Sequence, residues 1–179
     1  MKNQPHWRQE LKSAQKKEGN IASTRWIQIA TISEHNEPRL RTVVFRGWLK
    51  ENSMLIFTDS RSSKVKDIQI NNQVEVLWFL PKSKSQFRFK GYANIIDKDI
   101  IYWNNLSANS KSSWFWPTPG ELFKEEDYKQ NYNKLIRPNN FLVYEINMHT
   151  VELLKLEHPF HKRYLWEEDN DWIQTRINP

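Results

Sequence analysis

The chain has 179 residues, 27 Lys+Arg against 21 Asp+Glu for a formal charge of +6, and 9 Trp, 9 Phe and 6 Tyr. That length suits one domain burying roughly 70% of its unfolded surface, and so aromatic a composition excludes a disordered chain. The absence of Cys excludes disulfide frameworks, thiolate metal sites and cysteine nucleophiles. No apolar run nears the roughly 18 residues of a membrane span and the first residues have no signal-peptide core, so a cytoplasmic protein is expected. The four glycines, Gly19, Gly47, Gly91 and Gly120, cannot write a dinucleotide or P-loop phosphate motif. Residues 1–90 hold 17 of the 27 Lys+Arg and 8 of the 21 Asp+Glu. An anionic partner is therefore expected on the first half of the chain.

Trp7, Leu11 and Ala14 recur at helical spacing, with Pro5 at a first turn and Gly19 past the end, which predicts a helix over about 5–18. The period then changes. Trp26–Ile32, Leu40–Leu49 and Met54–Thr58 read as strands, linked too tightly for a crossover helix and so forming an antiparallel meander. Ser62–Asn71 reads as a helix, followed by strands at Val74–Leu80 and Phe87–Ile96. Helices are expected over Asp97–Leu106 and Glu121–Leu135, with a loop from Ser107 to Gly120 between them. Phe141–Met148 and Thr150–Leu156 read as two strands, and Arg163–Trp166 with Trp172–Arg176 as a closing hairpin. The whole is mainly β with peripheral α: one domain over residues 1–179, a closed or split antiparallel barrel over about 24–179.

Phe57-Thr58-Asp59-Ser60-Arg61-Ser62-Ser63-Lys64 places hydroxyls and cations between a strand end and a helix start. Unpaired N–H groups and the positive end of the helix dipole collect there, and phosphate is their natural occupant. The same residues also fit a plain Ser N-cap flanked by solvated cations. In the preceding strand Arg41 shares a face with Val43 and Phe45, and burying it requires an anion or carbonyl partner. Gln86 opens a later strand with an amide that suits a heterocycle edge. His158 and His161 form an H-x-x-H without carboxylate or Cys support, so no metal is expected.

The order Arg41-Thr42-Val43-Val44-Phe45-Arg46, Phe57-Thr58, Ser63-Lys64, Gln86 and Gly91 resembles the pyridoxamine 5′-phosphate oxidase family of FMN-binding split barrels. The ending His161-Lys162-Arg163-Tyr164-Leu165, Asp171-Trp172, Arg176 and Pro179 is similar to that family's, and coverage spans roughly residues 20–179. Trp116-Pro117-Thr118-Pro119-Gly120-Glu121 resembles its oxidase-like branch, common in cyanobacteria and plants.

The resemblance implies that Arg41, Ser63 and Lys64 meet the FMN phosphate. It puts Thr42, Val43, Val44, Phe57 and Thr58 along the flavin. Gln86 would reach it from the partner strand, and Arg163 from the second subunit of a homodimer that holds FMN at its interface. The substrate side departs from the family. Pro159 and Leu106 stand where the family has arginines, Arg46 where it has a lysine, and Ser113 where the branch carries a flavin-contacting Gln. Tyr102, Ser110, Arg46 and His161 remain as substrate contacts, and His161 or Arg163 as the catalytic candidates. The expected function is an FMN-dependent oxidoreductase with its substrate open. The alternatives are a flavin-binding sensor or carrier with little turnover and, more distantly, a single-stranded nucleic-acid-binding barrel.

Overall fold

A computed structural model describes residues 5–97, 99–128 and 135–179. The first three strands are β1 (Trp26–Ile32), β2 (Pro38–Lys50) and β3 (Ser53–Asp59), paired antiparallel in the expected meander. The helix α2 (Ser63–Ile70) carries the chain across to β4 (Gln73–Leu80), which pairs with the free edge of β1 and forms a hairpin with β5 (Ser85–Ile95). β6 (Phe141–Lys155), β7 (Lys162–Glu167) and β8 (Thr175–Ile177) complete the order β3-β2-β1-β4-β5-β6-β7-β8. β3 also pairs with β6, which closes β1–β6 into a six-stranded antiparallel barrel and leaves β7 and β8 as an extension.

β6 corrects the expectation of two strands at 141–156. One 15-residue strand runs through, paired with β5 along one edge. Its other edge pairs first with β3 (Ser53↔Asn147 to Asp59↔Phe141) and then with β7 (Thr150↔Glu167 to Lys155↔Lys162). His149, which fell between the two expected strands, marks the change of neighbour rather than a turn. Asn52 spans the changeover: its carbonyl accepts from the Met148 N–H (2.9 Å) and its Nδ2 donates to the Met148 carbonyl (3.3 Å).

Two other expectations change. Residues 107–120 are not all loop: Ser107 caps a short helix α4 (Ala108–Ser112), its Oγ accepting from the Ser110 N–H, and a 3-10 turn follows at Ser113–Phe115. The helix expected over 121–135 is absent from its described part, where residues 121–124 are irregular and Glu125–Tyr128 form a single 3-10 turn. Leu122 and Phe123 stay 91% and 75% exposed, so no packed face supports a helix there; residues 129–134 lie outside the described residues. The helix expected over 97–106 is α3 (Asp99–Asn104).

The barrel core is aromatic. Trp7, Trp78, Phe87, Phe89 and Trp166 are fully buried among Ile27, Ile29 and Ile56. α1 (His6–Glu18) stoppers it, with Trp7 between Trp48, Phe89 and Trp172 at ring distances of 5.7, 5.8 and 6.2 Å. A second cluster of Leu55, Trp103, Phe141 and Val143 seats α3 against β3 and β6.

Gly91 sits at the register shift between β5 and β6, where a Cβ would come 2.8 Å from the Asn147 carbonyl carbon. Gly91→Ala is expected to destabilise the fold by about 1–3 kcal/mol, as overpacking does. Urea unfolding checks this; an unchanged midpoint contradicts the close approach.

Candidate functional site

The alternation along β2 divides its side chains between two environments. Arg41, Val43 and Phe45 turn toward the barrel, while Thr42, Val44 and Arg46 are more exposed on the outer side. That outer side borders a cleft of about 470 Å³, within the usual range for a small-ligand site. Phe57, Thr58 and Asp59 from the end of β3, Lys64 from the first turn of α2, and residues of the segment 113–124 complete its walls.

Lys64 is the cation of this cleft. Its Nζ donates to Thr58 Oγ1 and Ser62 Oγ, both at 2.9 Å. Among the described residues no carboxylate forms an ion pair with it. Burial pushes its pKa below the ordinary lysine value and the nearby Arg41 pushes it further, with Asp59 only partly opposing. A half-desolvated ammonium held by neutral hydroxyls at the mouth of a helix is an anion site in waiting: a phosphate there supplies the missing counter-charge and meets hydroxyl and N–H donors as well. Arg46 also lines the cleft, its guanidinium 5.2 Å over the Phe57 ring. Partial burial and then the neighbouring Arg25 lower its pKa.

Arg41 has found the partner its burial required. Its Nη1 donates to Thr31 Oγ1 (2.6 Å) and its Nη2 to Asp67 Oδ2 (3.3 Å). The buried Asp67 also accepts from Thr31 (2.7 Å) and Arg39 (3.1 Å), which ties α2 to β1 and β2. Arg41 thus stands behind the cleft, its charge felt at Lys64, and is not among the residues lining it.

Of the residues expected in the site, the cleft gathers Thr42, Val43, Val44, Arg46, Phe57, Thr58 and Lys64. Ser63 opens α2 beside them without lining the cleft. Gln86 and Arg163 lie elsewhere on the chain, together: with Arg88, Glu152, Leu154 and Pro179 they line a smaller recess of about 140 Å³. Glu152 accepts from Arg88 Nη2 (2.5 Å) and from Arg163 Nε (2.8 Å). Burial raises the Glu152 carboxyl, and the bonds from Arg163 and Arg88 outweigh it, so the group titrates below the usual range.

The substrate candidates are scattered. Tyr102 packs against Phe57 at 5.7 Å, Leu106 joins the same apolar cluster, and Ser110 Oγ accepts from Ser107 Oγ (3.0 Å). His161 is exposed, with Nδ1 3.2 Å from the Glu157 carbonyl. Ser113 lines the cleft while its hydroxyl donates to the Ser110 carbonyl (3.0 Å).

Asp59, Arg61 and Asn140 received no role from sequence. Burial raises the Asp59 carboxyl, but hydrogen bonds from Arg61 and Asn140 outweigh it and its pKa falls below the usual value. Asp59 and Arg61 stood inside the phosphate segment, but Asn140 carries no local signature. The Trp-Pro-Thr-Pro-Gly block marked a family branch and gave no sign of being a cleft wall.

Residues 4–97, just over half of the chain, match the family model described as "Pyridoxamine 5′-phosphate oxidase, FMN-binding domain". The chain belongs to this family. It is 31% identical over 137 residues to pyridoxine/pyridoxamine 5′-phosphate oxidase 2 of Arabidopsis thaliana, covering 69% of this chain and 68% of that protein. A pyridoxamine 5′-phosphate oxidase-related, FMN-binding protein of Nostoc punctiforme superposes with a TM-score of 0.88 at 28% identity, over 97% of this chain and 98% of that one. PhzG from Burkholderia lata, solved with tetrahydrophenazine-1-carboxylic acid, superposes with a TM-score of 0.83 at 19% identity, over 97% and 90% of the two chains. It shares the fold alone, so the fold does not settle the substrate.

The family cofactor is FMN, and the uncompensated Lys64 ammonium at the head of α2 fits its phosphate. Lys64→Ala is expected to weaken FMN binding about ten- to hundredfold, the worth of one charge-assisted hydrogen bond, while leaving the melting temperature near wild type. Arg41→Ala is expected to do the reverse first, costing about 1–3 kcal/mol of stability because Asp67 loses a partner inside the fold. Flavin titration beside thermal melting separates the two; an unchanged FMN affinity in Lys64→Ala contradicts the phosphate site.

Proposed function

We propose that the protein is an FMN-dependent oxidoreductase that works as a homodimer, each cofactor held in the cleft of one copy and completed by the other. The observation that carries this reading is Lys64, a partly buried cation that faces an open cleft and whose acceptors among the described residues are hydroxyls. Lys64, Ser63 and Thr58 hold the phosphate, and Arg41 adds positive potential from behind. Thr42, Val43, Val44 and Phe57 lie along the flavin.

The half-sites support the dimer. Gln86 and Arg163 share a recess that has no residue in common with the cleft of the same chain. Gln86 is cross-strand from Phe79, which stays 45% exposed on the outer sheet face, and Trp26 is 52% exposed. An apolar face of that kind suits burial against a second copy, which brings Gln86 and Arg163 to the opposite cleft.

Bound FMN supplies a ring that accepts a hydride from a reduced substrate. The chain's own part is to hold both reactants face to face and exclude water. Arg46 offers a planar two-point grip for an anionic group on the substrate. Authentic vitamin B6 phosphate oxidation is not part of the proposal, because Leu106 is packed into an apolar cluster and Ser110 is engaged by Ser107. The same two observations favour the second reading, a flavin carrier or sensor with little turnover.

The purified protein is expected to be yellow and to elute as a dimer of 21.7 kDa subunits. Turnover with pyridoxamine or pyridoxine 5′-phosphate is expected to be slow or undetectable, while another organic hydride donor bleaches the flavin under anaerobic conditions. A yellow protein that no donor bleaches supports the carrier instead. A colourless protein that binds oligonucleotides with steep salt dependence overturns both.

A further inference from the structure

The cleft's outer wall is built of chain with little structure of its own. After the 3-10 turn at Ser113–Phe115 the segment 116–124 belongs to no strand or helix. What holds its start is a cluster at the end of β3. Arg61 grips Asp59 with two donors, Nε to Oδ1 (3.0 Å) and Nη2 to Oδ2 (2.7 Å), and the same Nη2 donates to the Trp116 carbonyl (3.0 Å). From the other side Asn140 Nδ2 donates to Asp59 Oδ2 (2.8 Å) and to the Trp114 carbonyl (2.9 Å). Two carbonyls, two residues apart, are thus fixed to one carboxylate through two different donors.

The Asp59 carboxylate itself lines the cleft next to Thr58, which accepts from Lys64. Left unpaired, it would oppose a phosphate. An isolated surface ion pair adds little, but a planar guanidinium that closes a fork on a carboxylate and reaches a backbone carbonyl is a geometric device that a lysine cannot copy.

We propose that Asp59, Arg61 and Asn140 form a latch that fixes Trp114 and Trp116 as the outer wall of the cofactor cleft, which makes Arg61 a positioning residue for the flavin. The inference rests on the FMN reading above. Arg61 is not among the residues that line the cleft. It acts through the wall, and the wall sets how long the flavin stays and how closely the tryptophans approach it.

The test uses the FMN-loaded protein, wild type against Arg61→Ala and Arg61→Lys, with two readouts: the rate of FMN release on dilution and the fluorescence of the bound flavin. A tryptophan held beside a flavin quenches it, so a loosened wall brightens the cofactor that stays bound, read after gel filtration has removed free FMN, whereas general destabilisation adds only to the free, separately bright fraction. Arg61→Ala is expected to release FMN about tenfold faster or more, on the scale of one or two charge-assisted hydrogen bonds, and to be brighter. Arg61→Lys neutralises Asp59 but cannot also hold the Trp116 carbonyl, so it is expected to move both readouts in the same direction by less. If Arg61→Ala does not fold, Arg61→Lys decides. Wild-type release and wild-type quenching in the variants overturn the latch while leaving the cofactor reading intact, whereas a wild-type protein that takes up no FMN overturns that reading itself.

Discussion

One half-buried positive charge, which forms no ion pair with a carboxylate among the described residues, organises this molecule's functional side. Lys64 is costly to hold where it is, because burial and Arg41 both disfavour its charged form. Its position is fixed by structure built elsewhere. Asp67, on the same short helix, is drawn onto Thr31, Arg39 and Arg41 of β1 and β2, so α2 has one seat on the barrel and Lys64 one direction in which to point. The two aspartates near Lys64 are both taken, Asp67 by the barrel and Asp59 by Arg61 and Asn140. Tying both aspartates to other partners is what leaves the ammonium available to a ligand.

Around that charge the barrel divides its labour. The inner faces of β1–β6 bury the aromatic core that α1 stoppers, and α1 contributes no residue to the cleft. The outer face of β2 and the end of β3 line the cleft. The far edge, where β5, β6 and β7 meet, carries Gln86, Arg88 and Arg163 around Glu152, three cations with Lys90 against one buried carboxylate. One chain therefore holds two cation-bearing recesses with no residue in common, which the proposed dimer would bring face to face.

The fold was readable where local pattern decides structure. Short links and period-two alternation placed β1, β2 and β3 correctly, and Trp7, Leu11 and Ala14 placed α1. It was not readable where pairing partners decide. β6 exchanges β3 for β7 at Met148 without interrupting its own extended backbone, and no residue pattern within one strand reports a change of neighbour. Over 121–128, the described start of the helix expected at 121–135, the composition was right, but propensity without a buried face does not hold a helix. At the site, alternation set Arg41 on the face opposite Thr42 and Val44, the family resemblance named Thr42, Val43 and Val44, and Lys64 followed from its place after a strand. The partner of Arg41 is 26 residues away, and Asn140 reaches Asp59 across 81, so both contacts exist only after the barrel has closed.

The central claim is that the head of α2 recognises a phosphate. Titrating the cofactor-free protein with FMN and, in parallel, with riboflavin, which has the same ring without the phosphate, tests it most directly. The account predicts that FMN binds at least about a hundredfold more tightly, given several charge-assisted contacts to the phosphate alone. Equal affinity for the two would contradict it, because the ring would then be held without the grip around which this site is arranged.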